Sequence, residues 1–538
     1  MADGTIHPGV GFTVAEVQTS TPNPPDDAGR KPGQRDQVIE AVLAAGVAFW
    51  RDGDGAAFAT VAAGAGSGQQ RYRVRSPAFA LVVRGLYAEA NKRTVRGRVL
   101  PGSLSDQALA EALPTFEAMA LRVLPVRNPD VRVCRWEGAV WLDLGCPAWR
   151  LVRVQAGHWE VLDGADVPLI RPDAMRPLPE PARADRSATL DTLRGLLNVA
   201  PDRPQDFMLL VAWMVAALHP AGPYPLLALD GEQGSGKSTT CRMLRKMVDP
   251  NKADLRAPPR NEESLVIAAM SARVVALDNV STIAPADADA LCRVATGGGF
   301  SKRRNYTDGD EYLAEVCRPV LLNGIPSLLA RGDLADRALA VTLLAIPDDK
   351  RRAEAEVWRD FAAAAPAVLG LLLDALARAL ADMSTLHLPR LPRMADFARL
   401  VCAAAPAFGW TAGDMMDAIE GNRVDAVEAV IEADPVATAV RGFMEGQHGA
   451  WAGTASELLA IVNDGTPDEL QRDRAFPKSA GRLSAHLRRI APGLRRAGWD
   501  IVLPTTGGRR GRTIRITPSS ATGQQRPVTP DPEPGGYL

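Results

Sequence analysis

The sequence predicts an α/β chain whose centre is a parallel sheet, and three stretches carry that prediction. Residues 225–239, PLLALDGEQGSGKST, read as an apolar strand, a glycine-rich loop and the start of a helix that continues as CRMLRKMV. Val274-Val275-Ala276-Leu277-Asp278 and Pro319-Val320-Leu321-Leu322-Asn323 are apolar runs that each end in a polar residue. Strands without alternation belong in a sheet covered on both faces, and such sheets are parallel. A mixed α/β region precedes this core. An α-helical region and a basic helix with a strand–turn–strand follow it.

The elements take their places in order. Residues 1–35 are rich in Pro, Asp, Gly and Thr and predict disorder, as does the tail from Ser519. Between 36 and 185, DQVIEAVLAAGVAFW and SDQALAEALPTFEAMALRV read as helices. VRVCRWEGAVWLDL and WRLVRVQAGHWEVL alternate and are rich in Trp and Val, which predicts hairpins. No acidic pair there supports metal-dependent polymerase chemistry, and pattern alone assigns this domain no role. PLPEPARAD (177–185) is a proline-rich linker. Two helices, TLDTLRGLLNV and PQDFMLLVAWMVAAL, lead into the core of residues 186–346. Ala-rich amphipathic helices follow over 347–440. Residues 441–518 give the order helix, basic helix, strand–turn–strand, which suits a winged helix.

Composition bounds the partners. A chain of 538 residues holds about three domains, and 46% hydrophobic with 23% charged residues is ordinary for a globular protein. The net charge of −1 means that any basic surface must be local. Six scattered cysteines without a C-x-x-C pair, and six dispersed histidines, argue against zinc and for free thiols in a reducing compartment. The first residues, MADGTIHPGV, are too polar for a signal peptide. The longest apolar run, Phe207 to Leu218, is too short to span a bilayer. The expectation is a cytoplasmic protein without a membrane partner.

The loop after the first core strand has the spacing Gly231-x4-Gly236-Lys237-Ser238. Glycines at 231, 234 and 236 let the backbone curl so that its N–H groups surround a phosphate. The helix from Lys237 aims its positive end at the same anion. Lys237 reaches the β- and γ-phosphates, Ser238 takes a place on Mg²⁺, and Ser235 and Thr239 complete the cradle. ATP with Mg²⁺ is the ligand this pattern predicts.

Asp278, about forty residues on, is placed to act on the metal. Asn279 follows it, and an amide orients water but cannot be a general base, which leaves Glu262 and Glu263 as weak alternatives. Asn323 is either a contact to the γ-phosphate or an ordinary turn residue before Gly324. Arg337 precedes the strand-like ALAVTLL, where it either reaches a neighbouring subunit's ATP or sits in a solvated salt-bridge loop. GGGFSKRRNYTDGDEY (297–312) reads as a hairpin. Its Lys302, Arg303 and Arg304, with Tyr306 close by, suit either a DNA-gripping tip or a solvated turn. Arg482, Arg488, Arg489, Arg495 and Arg496 mark one basic helix, and Arg509, Arg510 and Arg512 the turn behind it. Only Asp473 and Asp500 oppose them locally. That segment suits duplex DNA, with a protein-contact module as the alternative.

In order, GEQGSGKST, VVALDNVS, LCRVATGGGFSKRRNYTDGDE, RPVLLNGI, RGDLADRAL and PRMADF resemble the superfamily 3 helicases, ring-forming AAA+ ATPases, and within them the primase–helicase type of phages and plasmids. The resemblance covers residues 185–518. It implies a P-loop ATPase fold, Asn323 as sensor, Arg337 as the trans arginine finger and Lys302 to Arg304 as the pore hairpin. It also implies a homo-hexamer with single-stranded DNA in its central pore and duplex at the winged helix. Two departures stand out: Asn279 replaces the usual acid, and no primase signature precedes the core, so a separate primase would have to prime. The expectation is an ATP-dependent DNA helicase or translocase acting in mobile-element replication. An ATP-binding switch on DNA with little hydrolysis, or a mobile-element defence ATPase, is the alternative.

Overall fold

The computed structural model describes residues 32–62, 68–123, 126–281, 283–303, 311–324, 334, 336–432, 434–447, 449–472, 476–503 and 513–519. The first helix, Gln34–Ala44, is shorter than the sequence predicts. Gly46 turns the chain at φ 70°, and Ala48–Arg51 becomes a strand instead of a last helical turn. The apolar AFW triplet explains the difference, because Phe49 and Trp50 fit a half-buried pleated surface as readily as a helix. This strand pairs antiparallel with Ala57–Ala62, which pairs with Gln69–Arg73. Helices Pro77–Ala90 and Asp106–Leu121 are capped by the Ser76 and Ser105 side chains. Together with the first helix they close a small core on Val38, Phe79 and a stacked Phe49–Phe116 pair.

The two predicted hairpins form and join as one antiparallel sheet, ordered His158–Leu162, Leu151–Gln155, Ala139–Asp143, Val133–Trp136. Its inner face does not belong to the first small core. Val133, Val140, Val152 and Trp159 share one apolar cluster with residues as distant as Ile419. Residues 177–185, read as a proline-rich linker, carry no helix or strand, and Leu178 within them belongs to the same apolar cluster. Arg132 holds the junction: fully buried, it donates to the Asp249 carboxylate (3.2 Å) and to the carbonyls of Asp143 (2.8 Å) and Arg176 (2.7 Å). A buried guanidinium is tolerable only when its donors are matched in this way.

The central sheet is parallel throughout, in the order Val275–Val280, Val320–Gly324, Leu226–Gly231, Ala338–Leu343. Its strands are almost entirely buried, as unbroken apolar runs require. Helix Lys237–Val248 follows the glycine loop, and Asp249 at its end accepts the backbone N–H groups of Arg273 (2.9 Å) and Val274 (3.1 Å). That contact sets where the Asp278 strand begins. Helix Pro204–Leu218, buried along nearly its whole length, lies in the same core. The 29-residue helix Glu354–Asp382 is apolar enough by length and composition to cross a membrane, but it packs as a core helix here, with Leu369 and Leu373 fully buried.

Helix Pro435–Gln447 belongs to the last core, where Val436, Val440 and Met444 share a cluster with Leu483 and Leu487 and with Val427 and Ile431 at the end of helix Ala412–Glu432. A strand absent from the sequence reading, Trp451–Thr454, precedes helix Ala455–Asp464. Helix Ala480–Arg496 follows, and then strands Trp499–Val502 and Thr513–Pro518. The middle of the resulting antiparallel sheet is Thr513–Pro518.

Candidate functional site

The loop between Gly231 and Lys237 curls as its glycines allow. Gly231, Gly234 and Gly236 all have positive φ (138°, 85° and 81°). At Gly231 a side chain has no room: a Cβ would lie 2.4 Å from the carbonyl oxygen of Leu343 on the neighbouring strand. Gly231→Ala is therefore expected to cost about 2 to 4 kcal/mol, the sum of a forbidden φ and a backbone overlap. A melting curve and a nucleotide titration of the variant check this, and an unchanged Tm would contradict it.

Lys237 sits at the first turn of its helix, and its ammonium donates to the carbonyls of Gly231 (2.6 Å) and Glu232 (2.8 Å). Beside it the Ser238 hydroxyl donates to Asp278 Oδ1 (2.8 Å), although forty residues separate the two. Asn323 donates to the same oxygen at 2.8 Å, and its own oxygen accepts the Asn279 N–H at 2.7 Å. Lys237, Ser238, Asp278 and Asn323 are thus brought together at the carboxyl ends of three adjacent parallel strands, where ligands bind in open α/β sheets. Thr239 lies in the same helical turn.

Asn279 occupies a left-handed conformation, φ 52°, at a shift in register between its strand and Val320–Gly324. Asparagine tolerates this region better than most residues. The displacement leaves its side chain exposed while its neighbours on both sides are more buried. Glu262 is exposed and paired with Arg293 at 2.5 Å.

Sequence reasoning missed three groups at the loop. Asn198, between two helices, donates from its amide to the Ser235 carbonyl (2.8 Å) and the Leu344 carbonyl (2.7 Å), tying the loop to the last core strand. Asp230 is the next-to-last residue of the loop strand, and burial raises its carboxyl above the usual range, against the Thr342 hydroxyl and the Lys237 charge. Arg351 follows the last strand. Its guanidinium comes within 3.3 Å of the Cβ position of Gly234 and pairs with Asp348 at 3.1 Å. Only the Asp directly before Gly231 carried a local signal; the other two depend on chain return.

Arg337 is not in this cluster. The strand it precedes runs parallel to the loop strand, with Ala338 opposite Leu226 and Leu343 opposite Gly231. Arg337 therefore lies at the end of the sheet opposite the loop, about 20 Å away for six residues of strand. Its neighbour Asp336 is held by Arg393 (3.2 Å) and bidentately by Arg496, whereas Arg337 itself has no ion pair among the described residues.

The two basic segments fare differently. Lys302 and Arg303 end strand Gly298–Arg303, which pairs antiparallel with Glu311–Val316 as the hairpin reading expects. Arg304 and Tyr306 lie outside the described residues, as do Asp473, Arg509, Arg510 and Arg512. On helix Ala480–Arg496 the unbalanced patch needs correction. Arg489 contacts His486 and lies 3.8 Å from Asp434, Arg495 pairs with Asp500 at 3.0 Å, and Arg496 pairs with Asp336. Asp500 was visible as a local acid, but Asp434 and Asp336 come from sequence-distant segments, which a local charge count cannot see. Arg482 and Arg488 remain exposed without an ion pair among the described residues.

Two family models match in tandem. Residues 190–423 match that of the actinomycete integrative conjugative element replication protein, and residues 436–529 that of the AICE RepA C-terminal domain. No curated protein is significantly similar in sequence. Among solved structures, an A-form apo structure of the NrS-1 C-terminal region aligns with a TM-score of 0.36 at 10% identity, covering 90% of this chain and 99% of that one. A second apo structure of that region gives 0.35 at 10% identity, covering 91% and 100%. The tandem family matches, which take in the glycine loop, the Asp278 strand and the C-terminal module, support a mobile-element replication protein.

Proposed function

We propose that this replication protein is an ATP-driven DNA helicase or translocase working as a ring, with a P-loop core of the superfamily 3 type and a winged helix behind it. The observation that carries the reading is the contact between Ser238 Oγ and Asp278 Oδ1 beside Lys237 at a helix N-terminus. Loop N–H groups, a serine hydroxyl and a carboxylate are the donor set that fits a triphosphate with Mg²⁺. Ser238 and Asp278 would hold the metal, which when bound neutralises charge on the phosphates. The residues themselves do the rest. Lys237 binds phosphate oxygens, Asn323 fixes Asp278 and the Asn279 backbone in place, and Arg351 adds a second cation over the loop. For the C-terminal module, the order helix, strand, three helices (the middle one, Asp468–Gln471, a single turn), two strands supports the winged-helix reading.

Arg337, which lies too far from its own loop to reach it and suits a neighbour's, supports a ring, proposed as a hexamer. Single-stranded DNA in the central channel would meet the hairpin of Lys302 and Arg303, and duplex would meet Arg482 and Arg488. A cytoplasmic setting and a separate primase complete the proposal. Asn279 favours a second reading, a switch that binds ATP on DNA with little turnover, because its amide cannot take a proton from water. The deciding measurement is the ATPase rate with and without single-stranded DNA. We expect stimulation by DNA. Nucleotide binding with negligible turnover in both conditions would leave the switch.

A further inference from the structure

The N-terminal region carries a basic feature that the core chemistry does not use. Strands Arg93–Val95 and Arg98–Leu100 form a short hairpin in which all six residues are exposed. It leaves the end of helix Pro77–Ala90 and returns at Gly102, whose N–H donates to the Ala88 carbonyl at 3.1 Å. Between Glu89 and Asp106 there is no acid, against Lys92, Arg93, Arg96 and Arg98. Lys92 pairs with Glu89, and the three arginines have no ion pair among the described residues.

The turn is more telling than the charge count. Arg96 and Gly97 both have positive φ (51° and 76°), the two-residue turn that asparagine followed by glycine fills without strain. An arginine in the first position is a strained choice, and strain held in an exposed loop points to a use for that side chain. Register supplies the second half. Arg93 faces Leu100 and Val95 faces Arg98, so two guanidinium groups share one face with two apolar residues while Arg96 stands at the tip. Val95 and Leu100 are 43% and 41% exposed, so the apolar part of that face is open too.

We propose that this hairpin is a second nucleic-acid contact, which grips duplex DNA through Arg93, Arg96 and Arg98. A two-stranded ribbon is narrow enough for the major groove. Planar guanidinium forks match phosphate oxygens, and Val95 and Leu100 meet the sugar and base edges between them. Anionic lipid is the weaker fit, because the hairpin lacks the aromatic anchors of an interfacial segment. The inference rests on the reading of the chain as a DNA-acting protein.

The test compares the full-length chain with the Arg93→Gln/Arg96→Gln/Arg98→Gln and Arg93→Lys/Arg96→Lys/Arg98→Lys variants by fluorescence anisotropy on a short duplex. All three proteins should melt alike, since the residues are exposed. The glutamine variant should lose about 0.9 of salt slope per contact removed. Raising salt from about 50 to about 200 mM should then weaken the parent chain about forty-fold more than the glutamine variant. The lysine variant should retain most of the slope. If the parent chain binds duplex and the glutamine variant binds it equally at every salt, the hairpin proposal fails alone. If the parent chain does not bind duplex, the DNA reading fails with it. Hairpin-dependent binding to phosphatidylserine vesicles but not to DNA would also overturn the proposal.

Discussion

Lys237→Ala is expected to abolish ATP turnover, by a factor of about 10² to 10³ or more, with little loss of stability. The turnover term follows from electrostatics: removing one charge placed on developing phosphoryl charge costs about 3 to 4 kcal/mol of transition-state stabilisation. The stability term follows from what the ammonium touches. Its acceptors are the Gly231 and Glu232 carbonyls, and Glu232 is exposed, so water can replace the lost donor there. Loop shape rests on other contacts, the three positive-φ glycines and the Asn198 clamp on Ser235 and Leu344. Lys237→Arg should not restore the rate, because a planar fork needs more width than the compact ammonium it replaces. Steady-state turnover and melting curves of both variants check the pair of expectations. An active, well-folded Lys237→Ala protein would remove the central claim.

Particular residues show which links were legible from sequence. The loop strand, the Asp278 strand and the Asn323 strand were readable because each is a short unbroken apolar run bounded by glycine or a polar residue. Their meeting at one sheet end was readable too, since parallel strands put all their carboxyl ends together. Residues 48–51 misled because an apolar triplet satisfies helix and strand alike, and only Gly46 marks the break. Asn198 and Arg351 were invisible because their roles arise from chain segments that return to the loop after more than thirty and more than a hundred residues. The basic helix was legible as charge but not as free charge. Asp336 and Asp434, which hold Arg496 and Arg489, lie 160 and 55 residues away in sequence.

Arg337→Ala is the second large effect, an expected loss of about 10³-fold or more in turnover if the guanidinium serves a neighbour's nucleotide. The geometry makes the test unusually direct. Parallel pairing of Ala338 with Leu226 and of Leu343 with Gly231 puts Arg337 at one end of the strands and the loop at the other. No rotamer spans about 20 Å of strand, so an effect on the chain's own site through contact is excluded by length. The backbone at that end is fixed by Arg393 and Arg496 on Asp336, and by the Leu226 N–H donating to the Arg337 carbonyl at 2.9 Å. The substitution therefore removes a charge from a held position instead of loosening a loop. In a ring of head-to-tail contacts, each site takes its loop from one chain and its arginine from the next. Mixing inactive Lys237→Ala and Arg337→Ala chains in equal amounts then gives intact pairs at about a quarter of the interfaces, and up to that share of the parent rate. A mixture that stays inactive while both variants still assemble would show that Arg337 supports the sheet edge of its own chain. The ring reading would then lose the residue on which it stands.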